Sequence, residues 1–195
     1  ARGWPQREEF LVRVARALAA APSRRAYYPG AAARYRAFLD RYPAARPVGA
    51  GGADVVPWTL VPDVPPAKGE YALTEEAFCG VLAEVALEAT GPSEFLDRAL
   101  PFVNDAVWGT LSAVVLVPPS ARRDEPGIAD RAVSGLRYGS VGINVWTGAN
   151  FALGVTSWGA YPGHTPEDVV SGIGVVHNTF LFDQPLKSLV RGPFR

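Results

Sequence analysis

Apolar residues recur at helical spacing from position 6 onward: Phe10, Val14, Ala17, Leu18 and Ala21 share one face, and Arg13 and Arg16 the other, until Pro22-Ser23 stops the pattern. The spacing predicts an amphipathic helix. A second is predicted after Pro29-Gly30, where Tyr35, Phe38, Leu39 and Tyr42 form one stripe that Pro43 ends. PVGAGGADVVP, residues 47–57, has the glycine and proline of a loop, and WTLVP after it reads as a short strand; residues 64–69 are loop again.

From Gly80 the pattern changes period. Val81, Ala83, Val85 and Leu87 alternate with Leu82, Glu84, Ala86 and Glu88, which predicts a strand. Ser93 is placed to cap a helix carrying Phe95, Leu96, Ala99, Leu100 and Val103, with Pro101 expected to kink it or end it early. SAVVLVPP, residues 112–119, is apolar on both faces, as a buried parallel strand would be. A polar Pro/Arg/Asp loop leads to a helix over 128–137, and GSVGINVW is the next buried strand. The alternation of strand and helix predicts the α/β class: a mostly parallel sheet covered by helices, in a three-layer α/β/α lobe.

The last fifty residues are punctuated by glycine. Thr165-Pro166-Glu167-Asp168 has the form of a helix N-terminus, with proline at the first helical position and acids in the first turn. Val175-Val176 suggests a strand. The tail LKSLVRGPFR is apolar enough to dock on a neighbour.

Charge and composition narrow the function classes. With 19 basic and 19 acidic residues the formal net charge is zero, so no whole-molecule field draws in nucleic acid or an anionic membrane. Neither is expected as a partner. The single cysteine makes no internal disulfide, and no CxxC pair or close histidine pair offers zinc a ligand set, so no metal is expected. The first ten residues lack the apolar core of a signal peptide, and no later run approaches a membrane span of about 18 apolar residues. A reducing, cytoplasmic setting is the expectation. The chain contains no methionine, so a longer precursor or parent chain is expected upstream of Ala1.

Candidate chemistry centres on TEEAFCGVLAEV, residues 74–85. Cys79 would need a stabilised thiolate and a base, either Glu75 or Glu76 beside it or the distant His164 or His177. Between Phe78 and an apolar strand, it reads as a small packing residue. His164 follows Pro-Gly in a turn and His177 ends an apolar stretch; neither has a recognisable partner spacing, so both read as structural. Trp58, Trp108, Trp146 and Trp158 stand near strand or loop ends, where core or interface roles are usual. VGAGGAD follows a helix and runs toward Pro57, the reverse of a dinucleotide fingerprint, and reads as a surface loop.

EEAFCGVL nevertheless resembles the Glu-x-Phe-Gly-Pro-Val segment of the aldehyde dehydrogenase superfamily. Three other segments agree in order. FLDRALPFVNDAVWGTLSAVVLV resembles the family's helix, Asn-x-x-x-Tyr-Gly turn and strand, with Asn104, Trp108 and Gly109 at matching places. LRYGSVGINVW is similar to its Arg-x-Gly-x-Val-x-Ile-Asn strand, with Asn144 matching, and WGAYPG is similar to its aromatic-Gly-Gly-Tyr loop. The likeness is clearest over residues 74–163. It departs at Cys79 and Gly80, where the family has glycine and proline, at Trp108 for tyrosine, and at Pro162.

The resemblance implies a divergent aldehyde-dehydrogenase catalytic lobe over 1–163, followed by a C-terminal helix or strand and tail over 164–195 that offers an oligomer contact. By register it implies that Glu76 bonds the hydroxyls of a nicotinamide ribose and Phe78 packs beside the nicotinamide of NAD or NADP. It also implies an aldehyde substrate oxidised to a carboxylic acid in the intact enzyme, and a homo-oligomer. The family nucleophile, a cysteine that forms the thiohemiacetal and thioester, and the nucleotide lobe would precede Ala1, so no catalytic residue is assigned and the segment alone is expected to be inactive. Two rivals remain: a non-catalytic assembly module that kept the fold, and a cysteine hydrolase using Cys79 with His164 or His177.

Overall fold

The computed structural model describes residues 1–52 and 54–194. Of the segments discussed above, Ala53 in the glycine-rich loop and Arg195 at the end of the tail lie outside the described residues. The chain divides into two compact units, Ala1–Gly91 and Pro92–Arg195.

In the first unit, α1 (Arg7–Ala20) and α2 (Ala31–Arg41) precede β1 (Arg46–Val48), β2 (Trp58–Val61), the short α3 (Tyr71–Thr74) and β3 (Val81–Ala83). β2 is central, antiparallel to β1 and parallel to β3, with Thr59, Leu60 and Val61 buried. The stripe of α2 is as the spacing predicts, with Phe38 buried. On α1 the buried position is Leu11, whereas Phe10 is exposed and packs against Trp4 at 5.7 Å. The strand expected from Gly80 to Glu88 ends at Ala83. Its partner stops at Val61 because Pro62 has no N–H for a ladder, and beyond it Glu84 accepts a hydrogen bond from Val64 N instead.

Glu84 anchors this corner. Arg7 donates to it bidentately, Nε to Oε1 at 2.9 Å and Nη2 to Oε2 at 2.8 Å, and Asp63 N donates to Oε2 at 3.0 Å. Burial pushes the Glu84 carboxyl up. The hydrogen bonds from Arg7 and Asp63 N and the Arg7 charge outweigh that, and the net value lies below the usual one.

The second unit contains α4 (Pro92–Asp105), β4 (Ser112–Val115), α5 (Pro119–Asp124), α6 (Ile128–Gly135), β5 (Ser140–Ile143), α7 (Gly148–Leu153), β6 (Trp158–Gly159), β7 (Val175–Val176) and β8 (Ser188–Arg191). β4, β5 and β8 form an all-parallel sheet in that order, with Val141 opposite Ala113 and Leu189. Val141 and Ile143 face a core built from Leu96 of α4, Ala121 of α5 and Ile128, Ala129 and Ala132 of α6. Alternate residues point the other way. There Asn150 of α7 donates to Ser140 Oγ at 2.7 Å, and Thr147 lies against Gly142. Helices therefore cover both faces, the α/β layering predicted from the sequence.

Several local expectations are corrected. α4 starts at Pro92 and runs through Pro101 without ending, because its Leu96, Leu100 and Val103 face is held by the core. β4 is an edge strand, with Val114 exposed, since only one of its faces meets that core. The presumed loop after it contains α5, opened by Pro119 at its first turn. Thr165–Asp168 does not start a helix: the two residues exchange hydrogen bonds, Asp168 N to Thr165 O at 3.0 Å and Thr165 N to Asp168 O at 3.3 Å, and close a tight turn. The tail supplies β8 of the unit's own sheet. Val175-Val176 is a strand as expected, paired antiparallel with Trp158-Gly159.

Candidate functional site

The loop carrying Glu76, Phe78 and Cys79 joins α3 to β3, and its ends are fixed from below. Glu70 accepts from Tyr71 N at 3.1 Å at the start of α3 and also from the Tyr42 hydroxyl; Tyr42 Oη in turn accepts from Ala72 N at 2.8 Å. Burial, then the Glu70 hydrogen bond, pushes the Tyr42 hydroxyl up to about 12, so it stays a donor. At the far end Thr59 N donates to Gly80 O at 2.7 Å, tying the loop to β2.

Arg34 on α2 holds the middle. Its Nε donates to Ala77 O at 3.2 Å and its Nη2 to Pro29 O at 2.9 Å, while the guanidinium carbon lies 5.0 Å from the centre of the Phe78 ring. Tyr28 meets the same ring at 5.0 Å and 50°. Phe78 has a φ of 49°, a left-handed conformation that non-glycine residues seldom take, and these contacts compensate it.

Phe78 lines a cleft of about 430 Å³ with Arg24, Arg25, Tyr27, Tyr28 and Trp58. Glu76 does not line it. Its side chain is exposed and makes no hydrogen bond or ion pair among the described residues. The two residues singled out from the sequence thus share a loop and are both open to solvent, but only Phe78 faces the cleft. Arg24, Tyr27 and Tyr28 were not singled out; the dense RRAYYP run is the signal that marks them. Trp58, read as a core or interface residue, lines the cleft and is only half-buried.

Cys79 also borders the cleft, and burial pushes its thiol up although the Arg34 charge pulls the other way. Burial thus disfavours the thiolate form. Both histidines of the chain lie in the other unit and are engaged there: His164 Nε2 is 2.8 Å from Thr110 Oγ1, and the His177 ring lies 4.6 Å from that of Phe151. Unit 1 offers Cys79 no histidine.

The other motif residues have structural work. Asn104 donates to Gly135 O at 2.8 Å and accepts from Arg137 N at 2.8 Å, clamping the end of α4 to the end of α6. Asn144 bridges both polar groups of Val117, accepting from its N at 2.7 Å and donating to its O at 3.1 Å. Gly109 adopts a φ of 99°, and Trp108 is exposed.

No family model and no curated protein matches the sequence. Solved structures do match in fold. A lactaldehyde dehydrogenase superposes over 72% of this chain and 30% of its own, with a TM-score of 0.56 and 22% identity. Aldehyde dehydrogenase 21 from Physcomitrella patens, solved with the reaction product succinate, matches 67% of this chain and 24% of its own, with a TM-score of 0.50 and 16% identity. The chain thus has an α/β fold shared with part of these aldehyde dehydrogenases, and it spans less than a third of their length.

Proposed function

We propose that the chain is the catalytic-lobe part of a divergent NAD(P)-dependent aldehyde dehydrogenase, with Glu76 and Phe78 as contacts to the nicotinamide nucleoside. The shared fold together with the free carboxylate of Glu76 supports this reading. A carboxylate bonded to nothing else can accept from both hydroxyls of a vicinal diol. Two residues on, the Phe78 ring is 44% exposed and braced by Tyr28 and Arg34, so it can restrain a planar ring without itself moving. The residues present therefore fit the group. When bound, NAD(P) would supply the hydride acceptor for oxidation of an aldehyde to an acid; Glu76 and Phe78 would bind and orient it. The attacking cysteine and the nucleotide lobe are assigned to sequence outside these 195 residues.

Backbone NMR of the 195-residue chain during titration with NAD or NADP tests this. The expected result is shifts centred on residues 75–80 that Glu76→Ala abolishes. Unchanged signals in that loop, or shifts indifferent to Glu76→Ala, count against it. Glu76 is exposed and makes no hydrogen bond or ion pair among the described residues, so Glu76→Ala should preserve the fold.

A non-catalytic assembly module is the second reading, favoured by Phe180, Leu181 and Phe182, three consecutive exposed apolar side chains in the second unit. A chain that self-associates through this run, with no response to NAD or NADP, would support it.

A further inference from the structure

The cleft beside Phe78 has a chemistry that the nucleotide reading does not use. Four aromatic side chains, Tyr27, Tyr28, Trp58 and Phe78, line it. Trp58 donates from Nε1 to Pro22 O at 3.3 Å and packs on the backbone of Gly80. Tyr27 meets Tyr28 edge-on at 5.1 Å, and Tyr28 meets Phe78 at 5.0 Å. Tyr27 is 84% exposed, so a large aromatic surface is held open to water at the cleft.

The charge is equally one-sided. Arg24 and Arg25 are the ionised residues of the lining, with no carboxylate among them. Arg25 is paired with Asp54 at 3.2 Å. The Arg24 side chain has no hydrogen bond or ion pair among the described residues. A free guanidinium is a planar fork that suits a carboxylate bidentately, and electron-rich ring faces suit another flat ring. The volume, about 430 Å³, is within the range of small-ligand sites.

We propose that this cleft binds a planar aromatic carboxylate, with Arg24 on the carboxylate and the rings of Tyr27, Trp58 and Phe78 against the arene. Phe78 is shared with the proposed nucleotide contact; Arg24, Tyr27 and Trp58 are not, so the two readings stand or fall separately.

Isothermal titration of the 195-residue chain with benzoate, benzamide and cyclohexanecarboxylate tests the proposal. Benzoate should bind at least about tenfold more tightly than either of the others, since benzamide lacks the charge and cyclohexanecarboxylate the flat ring. Arg24→Gln should bring benzoate to the level of benzamide, and Tyr27→Ala should weaken it severalfold. Arg123→Gln, at an exposed position of the second unit, should change nothing. Absent benzoate binding, equal affinity for benzoate and benzamide, or indifference to Arg24→Gln would each overturn the proposal. Arg24 and Tyr27 are exposed, so neither substitution threatens folding. Glu76→Ala should leave benzoate affinity intact and Arg24→Gln should leave NAD-induced shifts intact, which separates failure of this site from failure of the nucleotide contact.

Discussion

The indole of Trp58 occupies the space where a side chain on Gly80 would begin: a Cβ built at position 80 would stand 2.4 Å from Trp58 Cε3 and 2.8 Å from Cζ3. The aldehyde-dehydrogenase motif that the loop resembles carries proline at this place. The glycine is therefore tied to a tryptophan that arrives from β2, and the departure from the motif and the aromatic wall of the cleft are one structural event.

Gly80→Ala should force the ring aside and cost about 1–3 kcal/mol, the usual penalty of overpacking. The backbone of Gly80 is not left-handed, so the cost comes from space alone. Urea denaturation of the single and double variants checks this. In a Trp58→Ala background the added methyl should cost little, and an additive double-mutant cycle would contradict the account.

Asn144 combines a φ of 57° with two hydrogen bonds to Val117. Asn144→Ala loses both bonds and leaves a Cβ residue in a left-handed conformation, an expected loss of about 2–4 kcal/mol. Asn144→Gly should recover about 1 kcal/mol of it, because glycine removes the backbone part and not the bonding part. Thermal or chemical unfolding of the pair of variants separates the two contributions.

Glu84 makes stability depend on pH. Its folded value lies below the ordinary 4.5, so the unfolded chain takes up a proton first as pH falls. The contribution is complete above pH 4.5 and disappears as pH drops through the folded value. Arg7→Met should remove about 2 kcal/mol at neutral pH, the scale of a hydrogen-bonded charged pair with both side chains under 20% exposed. The variant should also show a shallower loss of stability in acid. Unfolding midpoints measured from pH 7 down to pH 3 give the comparison.

Much of the layout is legible in the residue pattern, and the misreadings have physical causes. α2 follows from its apolar stripe, and β5 from an unbroken small and apolar run, because all four of its residues are buried. The strand after Gly80 looks longer in sequence than it is, since its length depends on Pro62 in a partner strand. Pro101 looks like a stop signal, yet tertiary packing of Leu96, Leu100 and Val103 carries the helix past it. At the site, a family-like motif draws attention to Glu76 and Phe78. The cleft is assembled from Arg24, Tyr27, Tyr28 and Trp58, which lie far from that motif in the chain, and no periodicity connects them.

The strand order β4, β5, β8 also has a bearing on how the second unit is made. β5 is paired on one side as soon as β4 is in place, but its other edge must wait for Ser188–Arg191, after residues 144–187 have been synthesised. Through that interval an apolar parallel strand stands with an open edge, which is the kind of surface that invites aggregation. A nascent chain stalled before β8 should therefore be a substrate for chaperones, and the arrival of Ser188–Arg191 should act as the latch on the unit.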